Sequence, residues 1–508
     1  MSFVIGIDVG TSGTKIVAIN EKGTVVASVT KNYDLKSPKP GWAEQNPLDW
    51  KKAVFDGLSE ICQSINSMEV RSIGLTGQMH GSVFLDERGD VLYPAILWCD
   101  QRTAKQCDKI NEIVGETELL RMVSNPALTG FTAPKILWLR DEEPDVYKKV
   151  KHVLLPKDYI RYELTGEFAS DVADASGTLL FNVNQRCWHQ ELLNKLEIPI
   201  EWLPKVYEGP EVTGVIKSSV AEQLRLPPNT VVVAGGGDQA AGGVGCGVVQ
   251  SGIVSASLGT SGVVFAFSES VHTDPQGRVH TFCHSVPGAW HVMGVMLSAG
   301  GSLQWFRNKL CQEEITKSKE TGIDPYVYIT QSAEKVPIGA NGLLFLPYLT
   351  GERTPHKDPY ARGAFIGLSL MHGKAEMAKA VLEGVAFGMR DSVEIMKGMG
   401  IPINEVRISG GGARSTLWRQ IMADVCKVPM VVINVDEGPA FGAGLLASIS
   451  AGMFSSLTEA CSSIIKEIER VEPDRTKADE YEFWYQEYKS AYTALAPAFH
   501  RIGKSMER

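Results

Sequence analysis

Ile5-Gly6-Ile7-Asp8-Val9-Gly10-Thr11-Ser12-Gly13-Thr14-Lys15-Ile16-Val17-Ala18-Ile19 sets a β-branched, apolar run on either side of a four-residue turn, the pattern of a strand, a tight glycine turn and a second strand. Far downstream, Ile253-Val254-Ser255-Ala256-Ser257-Leu258 leads into Gly259-Thr260-Ser261-Gly262 and then Val263-Val264-Phe265-Ala266-Phe267, which repeats the design. The two G-T-S-G turns start 249 residues apart in a chain of 508. A period of half the chain predicts two related domains, 1–249 and 250–508, each opening on such a hairpin.

Between and beyond the hairpins, helical and strand patterns alternate. Residues 50–65, 133–140, 375–397 and 415–425 read as helices, whereas 70–75, 231–234, 405–409 and 430–435 are short apolar runs that read as strands. This alternation predicts an α/β fold. Small residues dominate 442–452, as in a helix packed closely against a sheet. Over 477–495, Tyr481, Trp484, Tyr485, Tyr488, Tyr492 and Leu495 recur at helical spacing, which predicts a core-facing stripe without chemistry.

The composition, 44% hydrophobic and 21% charged, is that of a globular protein too long for one core. Fifty Lys and Arg against 59 Asp and Glu leave a formal charge of -9, which disfavours nucleic acid or a membrane as partner and favours a small molecule. Nine scattered cysteines, with no C-x-x-C pair and no zinc-type His spacing, read as buried, reduced thiols. The first residues carry no basic leader and no segment approaches the roughly 20 apolar residues of a membrane span, so the expected location is the cytoplasm.

Three glycine-rich sites invite an anionic ligand. Backbone N–H groups in a tight glycine turn can point at phosphate without side-chain bulk, and both G-T-S-G turns supply them together with Thr and Ser hydroxyls. Asp8, just before the first turn, is placed to hold Mg²⁺ through water. Two ordinary hairpins fit the local sequence as well. Val231-Val232-Val233-Ala234-Gly235-Gly236-Gly237-Asp238 runs from a buried strand through three glycines to a carboxylate at a helix start. That carboxylate reads equally as a group facing a sugar hydroxyl or as an N-cap. Glu405-Val406-Arg407-Ile408-Ser409-Gly410-Gly411-Gly412-Ala413-Arg414-Ser415 is again strand, glycines and helix start, suited to a nucleoside or phosphate. No G-x-G-x-x-G opens a helix after the first strand and no G-x-x-x-x-G-K-[ST] occurs.

With these residues in view, the chain resembles the FGGY carbohydrate kinases, which include glycerol, xylulose, ribulose, fuculose and gluconate kinases. The resemblance rests on the two hairpins, the G-G-G-D and G-G-G-A runs, and two signature stretches. One is Gly130-Phe131-Thr132-Ala133-Pro134-Lys135-Ile136-Leu137-Trp138-Leu139-Arg140-Asp141-Glu142; the other runs from Gly363-Ala364-Phe365-Ile366-Gly367-Leu368 to Glu376-Met377-Ala378-Lys379-Ala380-Val381-Leu382-Glu383. Gly77-Gln78-Met79-His80-Gly81 is similar to the segment carrying a sugar-binding Met-His pair in the xylulose kinase branch, where glycerol kinases have Arg-Glu.

The resemblance implies two ribonuclease-H-like, actin-type ATPase domains with an active-site cleft between them. It implies phosphoryl transfer from ATP to a pentulose, D-xylulose, yielding the 5-phosphate, with ribulose, a polyol or gluconate as rival acceptors. Carried over residue by residue, Asp238 is the catalytic base, and Met79, His80, Asp238 and Gln239 lie near the sugar, Gln239 standing where bacterial xylulose kinases often have Asn. ATP falls to Thr11, Ser12, Gly13, Thr260, Ser261, Gly300, Gln304, Gly411, Gly412 and Ser415, and Mg²⁺ to Asp8 and Asp238. A non-catalytic sensor on this scaffold would need loss of the base or the metal site, and both aspartates are present. The sequence leaves a homodimer open as the assembly.

Overall fold

The first hairpin pairs β1 (Phe3–Val9) antiparallel with β2 (Gly13–Asn20), in a register that sets Asp8 opposite Lys15. The computed structural model describes residues 2–435 and 438–506. It divides into two compact units: residues 1–250, 267–291 and 435–466 form the first, and 251–266, 292–434 and 467–508 the second.

The first unit is built on a sheet that also contains β3 (Val25–Asn32), β4 (Val70–Gly77), β5 (Val212–Val215) and β6 (Val231–Val233), in the order β5-β6-β4-β1-β2-β3. A seventh short strand, β7 (Gly236–Gly237), joins the end of β4. β1, β4 and β6 are parallel, and β2 and β5 flank them antiparallel. In the second unit, β8 (Gly252–Leu258), β9 (Gly262–Ser268), β10 (Ile403–Ser409), β11 (Met430–Ile433) and β12 (Glu467–Val471) run in the order β9-β8-β10-β11-β12. β8, β10 and β11 are parallel, again between antiparallel neighbours. The repeat of the G-T-S-G turns is thus the trace of a repeated sheet, each copy starting at its central hairpin.

Helices supply the crossovers that parallel strands require. Pro47–Ser64, capped by Asn46 and started by Pro47, buries Trp50, Val54, Leu58 and Ile61 against Ile5, Ile7, Ile16 and Ile73 of the first sheet. The helix Gly438–Ser450 follows β11 of the second unit in sequence yet belongs to the first unit, where it lies directly on β1 and β4. A β-carbon on Gly6 would stand 1.9 Å from the Ala440 carbonyl oxygen, and one on Gly74 at 1.9 Å from that of Ala443. Only glycine in the strands allows so close an approach, and this is why the 442–452 segment is rich in small residues.

The aromatic stripe lies on the long helix Arg475–Met506, where Tyr481, Tyr485 and Tyr488 are buried. Their hydroxyls meet buried partners: Tyr481 donates to Glu383 (3.0 Å), Tyr485 to Asp391 (2.6 Å), and Tyr488 pairs with the Tyr348 hydroxyl (2.6 Å). The stripe is thus core at Tyr481, Tyr485 and Tyr488, while Trp484, Tyr492 and Leu495 are half-buried. Five cysteines (107, 283, 311, 426 and 461) are buried, whereas Cys187 is exposed and the other three are half-buried. Among the described residues, no helix is long and apolar enough to cross a membrane.

Candidate active site

Two sites emerge, one in each unit. In the first, the carboxyl ends of the parallel strands converge: β1 ends at Asp8 and Val9, which pair with Thr76 and Gly77 of β4, and these in turn pair with Gly236 and Gly237. Ligands of open α/β sheets bind at such strand ends. Gly235 makes the turn out of β6 with φ +76, and a β-carbon there would meet the Leu75 carbonyl oxygen at 1.7 Å. The three-glycine run therefore lets the chain cross hard against β4 before the helix Asp238–Gly245 begins.

Asp238 is the first residue of that helix, and the N-cap position belongs to Gly237. Its half-buried carboxylate accepts a hydrogen bond from the neighbouring Gln239 amide at 2.8 Å. Burial pushes its pKa up from 3.8 to about 6, against the pull of the Gln239 hydrogen bonds. Asp8 is pushed further, to about 7, by burial and then by the charge of Asp238, partly offset by Lys15. The Oδ1 atom of Asp8 is buried with no hydrogen-bond partner. An oxygen left in this way fits a water-mediated cation beside Asp238. No group of three or more His, Cys, Asp or Glu able to cage a metal occurs among the described residues.

Met79 and His80 follow β4 after Gln78. Met79 is buried, and a β-carbon on Gly237 would lie 2.6 Å from its Cγ, so Asp238 springs from backbone in contact with Met79. His80 adopts φ +67, and its Nδ1 lies 2.6 Å from the Gly177 carbonyl oxygen. A carbonyl only accepts, so Nδ1 carries the proton. Gly177, absent from the sequence reading, matters here because a β-carbon on it would meet the His80 ring at 2.6 Å and Met79 Cε at 2.9 Å. The rings of Phe131 (4.8 Å, edge-on) and Phe282 (6.1 Å) flank the imidazole.

Beneath lies a fully buried ion cluster. The Lys157 amine touches Asp158 (2.5 Å), Asp171 (2.6 Å) and Asp174 (3.4 Å), and Arg161 approaches Asp158 at 3.6 Å. Asp171 caps the short helix Val172–Ser176, which ends at Gly177. The cluster thereby anchors the carbonyl that orients His80.

The first hairpin turn is closed by the Gly10 amide on the Gly13 carbonyl (3.0 Å), with Ser12 exposed at its tip. Gly13 is needed because a β-carbon there would lie 2.7 Å from the Lys31 carbonyl oxygen of β3. The Thr11 hydroxyl donates to Gln78 Oε1 (3.2 Å) and accepts from the half-exposed Trp98 indole (3.0 Å). Trp98 stands on a loop fixed by Arg102, which pairs with Asp100 and Glu44, each at 2.7 Å.

In the second unit, a cavity of about 500 Å³ is lined by Gly259, Thr260, Gly300, Gln304, Gly411, Gly412 and Ser415 among others. Six of these, all but Gly259, are residues that the resemblance assigns to ATP; Ser261, also assigned to it, is not among the lining residues. The Gly259 and Thr260 carbonyls accept from the amides of Gly300 (2.8 Å), Ala299 (2.9 Å) and Gly301 (3.0 Å), which bolts the hairpin to the start of the helix Gly300–Leu310. The Ser415 hydroxyl serves as the N-cap of Thr416–Cys426. Sequence reasoning missed Asp324, Tyr326 and Thr330, which line the cavity from the start of Pro325–Glu334, and Arg414 and Trp418. Glu352, buried and pushed up to about 8, accepts from the Leu297 amide (2.9 Å) and fixes the chain just ahead of Gly300.

Comparison with known proteins agrees with this geometry. The N-terminal domain model of the FGGY family of carbohydrate kinases matches residues 3–245, and the C-terminal domain model matches 254–451. A xylulose kinase of Escherichia coli (strain K12) is 40% identical over 494 residues, 97% of this chain and 99% of that protein. One of Bacillus subtilis (strain 168) is 37% identical over 495 residues, 97% of each. Among solved structures, a ligand-bound xylulose kinase from Lactobacillus acidophilus aligns with a TM-score of 0.92 at 28% identity, over 99% of this chain and 100% of that one. The fold is therefore the two-domain, actin-type ATPase α/β fold.

Proposed function

The chain belongs to the FGGY family of carbohydrate kinases and is an ATP-dependent sugar kinase, and we propose that it phosphorylates D-xylulose to the 5-phosphate with Asp238 as general base. The acceptor is supported by full-length identity to xylulose kinases together with the Met79-His80 pair. The base assignment is carried by one observation: Asp238 leaves backbone that touches Met79, at the end of strands that also present Asp8.

A sugar hydroxyl is a poor nucleophile near neutral pH. In this reading, the ionised Asp238 accepts its proton as the new O–P bond forms on the γ-phosphorus, while the bond to the bridging oxygen of ADP breaks and ADP departs with that electron pair. His80 and Gln239 orient the acceptor, and Met79 packs against its carbon face. Asp8 and Asp238 would hold Mg²⁺ through water, where it would supply positive charge to offset that on the phosphate oxygens. Thr11, Ser12 and Gly13 are the residues of the first hairpin suited to phosphate, and the cavity lined by Thr260, Gly300, Gln304, Gly411, Gly412 and Ser415 is suited to a nucleoside. The cytoplasm, where ATP is abundant, is the fitting location.

A coupled ATP-to-ADP assay across ketoses, polyols and aldonates tests the acceptor. D-xylulose should show the highest kcat/KM. A polyol or gluconate ranking first would overturn the acceptor, and no turnover with any would overturn the enzyme reading.

A further inference from the structure

The signature stretch 130–142 has no side chain in the reaction just described, yet it supplies a buried amine with an unusual set of partners. Lys135 is fully buried. Its amine donates to two carbonyl oxygens, those of His80 (2.8 Å) and Gly130 (2.8 Å). Thr132, one turn earlier on the helix Thr132–Glu142, donates its hydroxyl to the same His80 carbonyl at 3.1 Å. Burying an amine without a contacting carboxylate is costly, and burial pushes this one down to about 7. A hydrophobic residue would serve a plain core position better.

What the amine secures is a strained residue. His80 has φ +67, a conformation that is unfavourable for a non-glycine residue and persists only where the surroundings impose it. Its backbone carbonyl is gripped by Lys135 and Thr132, and its ring by the Gly177 carbonyl and Phe131. The Gly81 amide closes a tight turn onto the Met79 carbonyl (2.9 Å), so the conformation at 80 also sets the direction of Met79.

We propose that Lys135 is a positioning residue for the sugar acceptor: by holding the His80 carbonyl it fixes the left-handed backbone that aims the imidazole and Met79 at the sugar. This rests on the reading of His80 as an acceptor contact. Without the amine, His80 relaxes toward an ordinary conformation and the acceptor loses an oriented partner, while the nucleotide cavity, formed by residues of the other unit, is untouched.

The test compares Lys135→Met, His80→Ala and the double variant in steady-state kinetics with D-xylulose and ATP varied separately. Lys135→Met should raise the KM for D-xylulose about tenfold or more, with the KM for ATP within about twofold. In the His80→Ala background the same change should add little, because the two residues act as one unit. If His80→Ala leaves the acceptor KM unchanged, the underlying reading of the site fails. If His80→Ala raises it and Lys135→Met does not, or if Lys135→Met has the same effect with and without His80, the positioning role fails. Should Lys135→Met not fold, Thr132→Val removes one donor to the same carbonyl. It should raise the acceptor KM alone, by about two- to threefold, and no rise overturns the proposal.

Discussion

A β-carbon on Gly442 would stand 1.8 Å from the carbonyl oxygen of Ala241. The helix Gly438–Ser450 therefore meets the helix that begins at Asp238 backbone to backbone, and the other face of the contact is as tight, since a β-carbon on Gly245 would lie 2.7 Å from the Gly438 carbonyl oxygen. Gly442→Ala must separate the two helices. Overpacking of this kind costs about 1–3 kcal/mol or more, so urea denaturation should show a clear loss of stability. Turnover should fall further than stability alone explains, because the displaced helix carries Asp238.

Gly300 plays the corresponding part in the second unit. Its amide bonds the Gly259 carbonyl, and a β-carbon would lie 2.4 Å from that same oxygen. Gly300→Ala should weaken ADP binding, measured by calorimetry, by about tenfold or more, with sugar binding unchanged.

Lys157 stands among Asp158, Asp171 and Asp174 with no exposure to solvent. Removing one partner of a buried ion cluster leaves uncompensated charge and costs about 3–5 kcal/mol. Lys157→Met should lower Tm markedly, and Lys157→Met combined with Asp171→Asn should recover part of the loss, since the stranded charge is then reduced.

The carboxylates give activity and stability opposite dependences on pH. The base works ionised, so kcat/KM for the acceptor should rise with pH through about 6, where Asp238 titrates, with Asp8 titrating near 7 as its coupled neighbour. For stability, a folded-state pKa raised above the usual 3.8 means that the folded chain holds the proton more tightly than the unfolded chain. The stabilisation is therefore full below about pH 4 and is lost as pH rises through about 6. Asp238→Asn should raise Tm at pH 8 by a few degrees, and the gain should shrink at pH 5. Equal gains at both pH values would contradict the burial of this charge.

The hairpins, the G-G-G-D run and the aromatic stripe were legible because each is written in consecutive residues: β-branched strands around glycine, a carboxylate after a strand, rings at helical spacing. The small residues of 442–452 announced a close contact but not its partner, because Gly6, Gly74 and Ala241 lie hundreds of residues away. Gly177 gave no local signal, since it acts through a missing side chain, and the stretch that holds Lys135 gave no sign of its partner, the carbonyl of a residue 55 positions earlier. Tyr326 and its neighbours in the second unit's cavity belong to a helix that carries no motif. The Thr11 hydroxyl, read from sequence as a donor to phosphate, has Gln78 and Trp98 as partners that the turn itself could not reveal.

Asp238→Ala, assayed for sugar-dependent ADP release alongside calorimetric titration with ADP, goes to the centre of the account. Loss of turnover by about a thousandfold or more with ADP affinity unchanged is the predicted result. Sugar-dependent turnover close to that of the native enzyme would contradict it.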